Sequence, residues 1–177
     1  MKHVYSGAAL LLAALAFPSL ALAHVSLAVP AALGGSYYVG AFRLSHGCGV
    51  SPTVSVRIDI PTEIDIARPQ PKPGWALTVT RQRLAKPIQS EGGMVSDRVS
   101  AITWTGKLPA DQFDEFAIMM RLPPRGGALY FPVVQTCAEG ERRWTDIPKP
   151  GARPANPAAV LQLAAPSGQP AAQEHHH

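Results

Sequence analysis

The chemistry in this chain begins at Ala21-Leu22-Ala23-His24. A short basic start with Lys2 and His3 precedes an apolar run from Ala8 to Phe17. Pro18-Ser19-Leu20 then leads into small residues. This is the pattern of a secretory signal peptide with an A-x-A cleavage site. A cut after Ala23 removes residues 1–23 and makes His24 the first residue of the mature protein. A terminal histidine offers a metal ion two nitrogens, the free α-amine and imidazole Nδ1, which close a six-membered chelate ring. An internal histidine lacks this pair, because its backbone nitrogen is an amide. The pair suits Cu(II), which tops the divalent affinity order. An unperturbed α-amine titrates near about 8, so at neutral pH a metal displaces its proton at modest cost. Signal peptidase reads mainly the residues before the cut, so a terminal histidine also arises by chance, and the rest of the chain has to weigh in.

Other reactive groups are sparse. The sequence has no Gly-x-Ser-x-Gly, no phosphate-cradling glycine loop and no Cys-x-x-Cys. His46 is the only internal histidine of the body, so acyl transfer has a single candidate base. It reads either as a loop histidine beside a cysteine or as a further metal ligand. Glu115, at the start of a strand, and Glu139, in a turn, are the carboxylates available to a metal. Nothing marks a hydrolase pair, and no enzyme is expected. A copper monooxygenase of the histidine-brace type needs a second histidine facing the first, and only His46 is available for that. Cys48 and Cys137 are the only cysteines. Export puts them in an oxidising compartment, where one disulfide is the natural expectation. The alternative, a cysteine copper site, wants two histidines and a methionine near one cysteine. Met94, Met119 and Met120 do not provide that spacing. Of the tryptophans, Trp75 and Trp104 read as core. Trp144, flanked by Arg142, Arg143, Thr145 and Asp146, is either a half-buried edge residue or a neighbour of His24, since first and last strands often lie close together.

Composition bounds the rest. The sequence of 177 residues has a net charge of +4 and a pI near 9.3. Its basic residues are scattered rather than blocked with aromatics, which argues against nucleic acid. The early apolar run is too short to stay as a membrane span, and no later stretch serves as one. The expectation is an exported, periplasmic or otherwise extracytoplasmic monomer.

The elements that must hold these residues read as β throughout. Residues 24–29 and 36–44 are short strands, the second following Gly34-Gly35. In 53–60, Val54, Val56, Ile58 and Ile60 alternate with Thr53, Ser55, Arg57 and Asp59, as in a half-buried antiparallel strand. Three prolines at alternate positions from Pro69 to Pro73 exclude a helix or a central strand and favour an extended connection. Strands are expected over 75–84, 98–104, 113–122, 128–136 and 142–147. Helical spacing of Phe116, Met119 and Met120 competes in 113–122, but Phe116, Ile118, Met120 and Leu122 alternate. Pro132 marks an edge or a bulge. About eight strands and no convincing helix predict an all-β antiparallel sandwich, of immunoglobulin/fibronectin-like or cupredoxin-like type. Residues 24–148 form the domain. Residues 149–177 are rich in Pro, Ala and Gln and read as a flexible tail. Its apolar patch Val160-Leu161-Gln162-Leu163 has the means either to add a strand or to dock on the sandwich edge. The closing His175-His176-His177 reads as a truncated tag or a metal-scavenging end and is not counted as a site.

Several motifs in order carry a resemblance. They are Ala23-His24-Val25-Ser26, Gly35-Ser36-Tyr37-Tyr38 with Phe42-Arg43-Leu44, Ser45-His46-Gly47-Cys48, and Pro69-Gln70-Pro71-Lys72-Pro73-Gly74-Trp75. Further on come Ile102-Thr103-Trp104-Thr105-Gly106, Phe113-Asp114-Glu115-Phe116, Leu129-Tyr130-Phe131-Pro132-Val133-Val134-Gln135-Thr136-Cys137 and Gly140-Glu141-Arg142-Arg143-Trp144. The chain resembles the YcnI-like copper-binding family of exported bacterial β-sandwich proteins. The resemblance implies one Cu(II) per chain, held by His24 with Trp144 close by, and a Cys48–Cys137 pair. It also implies a role in copper trafficking, acquisition or homeostasis, with periplasmic copper chaperones of PCuAC type and CopD-like membrane copper transporters as partners. One departure stands out. Related sequences often carry an acidic residue a few places after the histidine, where this chain has Ala28 and Ala31. Water, Glu115, Glu139 or His46 is left to complete the donor set. A metal-free interaction or adhesion sandwich is the alternative reading.

Overall fold

The computed structural model describes residues 24–90, 92–149, 151 and 154–166. Residues 1–23 and 167–177, and with them the expected signal peptide and the closing histidines, lie outside the described residues. The described chain forms twelve strands and no helix. Among these residues no helix is long and apolar enough to cross a membrane.

Two antiparallel sheets face each other. The first runs β1 (Ser26–Leu27), β3 (Tyr37–Leu44), β8 (Asp114–Arg121), β5 (Ala67–Pro69). The second runs β11 (Glu141–Trp144), β10 (Val133–Cys137), β4 (Thr53–Asp59), β7 (Gly93–Leu108), β6 (Ala76–Ser90). The inward residues are those that alternation selects. In β8, Phe116, Ile118 and Met120 are buried while their neighbours are half-exposed, which settles 113–122 as a strand. Phe116 lies between Trp75 and Trp104, at ring-centroid distances of 5.0 and 5.4 Å. Phe42 meets Phe131 edge-on at 5.2 Å. The proline-rich stretch enters the fold at β5, an edge strand, where proline's missing N–H leaves no ladder bond unmade.

Four features differ from the sequence reading. The sandwich has more strands than eight, because short edge pieces escape a period-two pattern. The hairpin of β6 and β7 reaches well past the expected 75–84 and 98–104. Thr53 points inward rather than outward and is fully buried, because the β4–β7 register shifts between Thr53 and Ser55, and a bulge of this kind flips the residue before it. The fourth concerns the C-terminus. Ala159–Ala164 forms β12, which pairs antiparallel with β9 (Gly127–Phe131) and parallel with β2 (Ala31–Leu33) in a third sheet. Leu161 and Leu163 are buried there. A domain boundary at 148 is therefore too early. The Pro/Ala-rich composition hides three inward-facing residues in a six-residue strand.

Pro132 is where the chain changes sheets. It separates β9, in the third sheet, from β10, in the second. Lacking an N–H, it breaks the ladder at that point, while its carbonyl still accepts from Asp59 N at 2.9 Å.

Candidate metal centre

His24 leads directly into β1 and is exposed, whereas Val25 beside it is buried. β1 is the edge of its sheet and pairs with β3 through Ser26↔Arg43 and Leu27↔Phe42. His24 lies two residues before the first of these pairs, and Ser45 directly follows β3. Leu44 is buried like Val25, and Ser45 is exposed like His24. β3 itself runs on into the corner Ser45-His46-Gly47-Cys48.

That corner is heavily tied. Cys48 and Cys137 form a disulfide with Cα atoms 6.1 Å apart, so the cysteines are not metal ligands. Gly47 N donates to Ala110 O at 3.0 Å. A Cβ on Gly47 would stand 2.3 Å from Ser51 O, so only glycine fits there. The buried Gln135 donates from Nε2 to both the His46 carbonyl and Thr53 Oγ1, each at 2.8 Å. His46 itself is exposed, with Nδ1 2.6 Å from Gly47 O.

Trp144 lies on β11, the outer strand of the opposite sheet, opposite Val133. The first sheet's far edge, β5, packs against β7, and the disulfide joins the loop after β3 to the end of β10. β1 and β11 are each an edge of their own sheet. Val25 and Trp144 belong to one apolar cluster. Trp144 is 8% exposed, a buried edge residue rather than a half-buried one. Its Nε1 has no hydrogen-bond partner among the described residues. By contrast, Trp104 Nε1 donates to Gln70 O at 3.2 Å. Trp75 packs over Gly106, whose absent Cβ leaves room for the indole.

The carboxylates are less favourably placed. Glu115 is on β8, directly opposite Arg43, and its Oε1 accepts from Arg43 Nε at 2.9 Å and Nη2 at 2.6 Å. Glu139 is exposed in the β10–β11 turn, where its backbone N–H donates to Ser51 Oγ at 2.9 Å. Among the described residues no three His, Cys, Asp or Glu side chains gather into a ready-made metal cluster. The sequence pointed to all of these residues. It missed Gln135 and Thr53, because a polar pair at strand positions carries no period signal until a bulge turns one inward.

A family model described as a domain of unknown function, DUF1775, matches residues 24–163. The chain belongs to the DUF1775 family. This is the YcnI-like family whose motifs the sequence carries, and the matched span takes in β12. A solved structure titled as an uncharacterized protein from Nocardia farcinica with an immunoglobulin-like fold is similar. Its TM-score is 0.61 at 27% identity, over 80% of this chain and 99% of that one. No curated protein matches the chain. The fold class read from the strand pattern is therefore that of an immunoglobulin-like all-β sandwich.

Proposed function

We propose that this DUF1775 protein is an exported copper carrier that holds one Cu(II) through the α-amine and imidazole of a terminal His24. Copper is its cargo, in trafficking, acquisition or homeostasis. One observation carries the reading. The family's matched span opens on residue 24, the residue that an A-x-A cut would make terminal. The disulfide fits an oxidising compartment. The donor chemistry fits as well. Two nitrogens in a small chelate favour Cu(II) over other divalent ions. Trp144 contributes no lone pair, since an indole N–H only donates. Its role is to wall the site and to offer its orphaned N–H to a ligand oxygen.

The test is a Cu(II) titration of protein that begins at His24 and lacks residues 175–177, followed by electron paramagnetic resonance and tryptophan fluorescence. The expected result is one equivalent bound, with nitrogen hyperfine structure and quenched emission. His24→Ala should lower affinity by orders of magnitude. So should one added residue before His24, which turns the amine into an amide. Equal affinity in all three proteins rules the assignment out.

A further inference from the structure

We propose that the outer face of the first sheet docks on an anionic phospholipid bilayer. The inference is independent of copper. The β3–β8 ladder fixes which residues share that face. Phe42 and Phe116 are directly opposed and buried, so their neighbours on both strands point outward. Tyr37, Val39 and Ala41 stand on β3, and Ala117 and Met119 on β8. Val39 is directly opposite Met119, and Ala41 opposite Ala117. Val39 is 60% exposed and Tyr37 47%. Single apolar residues on a surface are ordinary. Here five adjoin, because opposed residues on neighbouring strands are side-chain neighbours.

The free charges beside this strip have one sign. Arg121 lies opposite Tyr37, and Arg68 of β5 lies opposite Met119. Neither guanidinium has a carboxylate partner among the described residues. Glu115, the carboxylate on the same face, is held by Arg43 directly across the ladder, so its charge is neutralised there. An apolar strip with unpaired cations beside it fits a surface that offers phosphates and acyl chains together. Guanidinium pairs with phosphate oxygens through two parallel bonds. A tyrosine ring settles at headgroup level with its hydroxyl in water. Two of the five apolar residues are alanine, so the face is shallow and gives a protein partner no cup for an anchoring side chain. A bilayer needs none. The net charge is +4, and +3 once Lys2 leaves with residues 1–23, which adds attraction to an extended anionic plane.

The experiment is co-sedimentation of protein beginning at His24 with phosphatidylcholine vesicles that contain or lack phosphatidylglycerol. Binding to the mixed vesicles alone is expected, and it should weaken as salt rises. Arg68→Gln with Arg121→Gln should lower the partition coefficient about fivefold for each charge lost. Val39→Asp should lower it at least about tenfold, since it removes apolar surface and adds a repelled charge. Arg83→Gln with Arg142→Gln takes the same charge from exposed positions of the second sheet and should cost clearly less. Circular dichroism checks that each variant folds. The Arg68 and Arg121 changes break no ion pair of the described residues, so they keep the test standing if Val39→Asp unfolds. Equal losses in the two arginine pairs overturn the face and leave only a general charge attraction. Equal binding to both vesicles overturns the proposal, and so does binding to neither, which leaves the face to an acidic protein.

Discussion

The carbonyl oxygen of His46 accepts a hydrogen bond from Gln135 Nε2 at 2.8 Å, across the gap between the two sheets. The same nitrogen donates to Thr53 Oγ1, and Gln135 is 3% exposed. One buried amide thus ties the corner after β3 to β4 and β10. Gln135→Leu keeps the volume close but leaves the carbonyl and hydroxyl without their donor. Losing a buried partner costs about 1–3 kcal/mol. Urea unfolding should show a loss of that size, and the His46 corner should exchange its amides faster. A variant as stable as the wild type would mean that other groups satisfy both oxygens.

The disulfide makes a larger contribution to the same corner. Cys48 and Cys137 are 89 residues apart, and chain entropy gives such a loop about 4–5 kcal/mol. Cys48→Ala with Cys137→Ala should lower stability by up to that amount in guanidinium unfolding. A double variant as stable as the wild type would mean that the bridge does little to restrict the unfolded chain.

Much of this arrangement was legible before folding, for a physical reason. Strands buried on one face must alternate, so β8 with Phe116, Ile118 and Met120 was readable, as was the tail of β4 with Val56 and Ile58. Proline cannot donate, so Pro69 was readable as excluding a central strand and Pro132 as an irregularity, while the edge strand at Pro69 and the change of sheet at Pro132 were not. What escaped was set by pairing rather than by local pattern. The bulge that turns Thr53 inward depends on β7. β12 is recognisable only because β9 and β2 leave it a place. Of the candidate residues, His24, His46 and Trp144 stood out by residue type. That β1 and β11 are edge strands came from sheet order, which no single strand encodes.

Tyr38 gives a pH signature to the β1–β3 edge. Its hydroxyl donates to Val29 O at 2.5 Å, and burial pushes its ionisation above the usual tyrosine range. A raised folded-state value means the protonated form is favoured by folding. Its contribution is therefore fully present below the unfolded value, near about 10, and is lost as pH rises through the folded value. Tyr38→Phe should cost about 0.5–1.5 kcal/mol at neutral pH through the lost bond. That deficit should shrink as the pH climbs past about 10. Thermal melts of both proteins across that range test it, and a constant difference would mean Tyr38 ionises freely in the fold.

Trp104 and Trp144 make a controlled contrast. Both are buried, at 0% and 8% exposure. The Trp104 N–H is paired with Gln70 O, while that of Trp144 has no partner among the described residues. Tryptophan to phenylalanine removes similar apolar area at each position. At Trp104 it also opens space in the centre of the sandwich and breaks a hydrogen bond, adding about 1 kcal/mol or more. At Trp144 it removes an unpaired buried donor, whose burial costs about 1–3 kcal/mol, so the lost packing is offset. Trp144→Phe should therefore destabilise clearly less than Trp104→Phe in urea unfolding. It should also abolish most of the Cu(II) quenching of tryptophan emission, with Trp75 and Trp104 still present. If Trp144→Phe is instead the costlier change, its N–H has an acceptor from outside the chain. If quenching survives intact, the bound ion is nearer another indole.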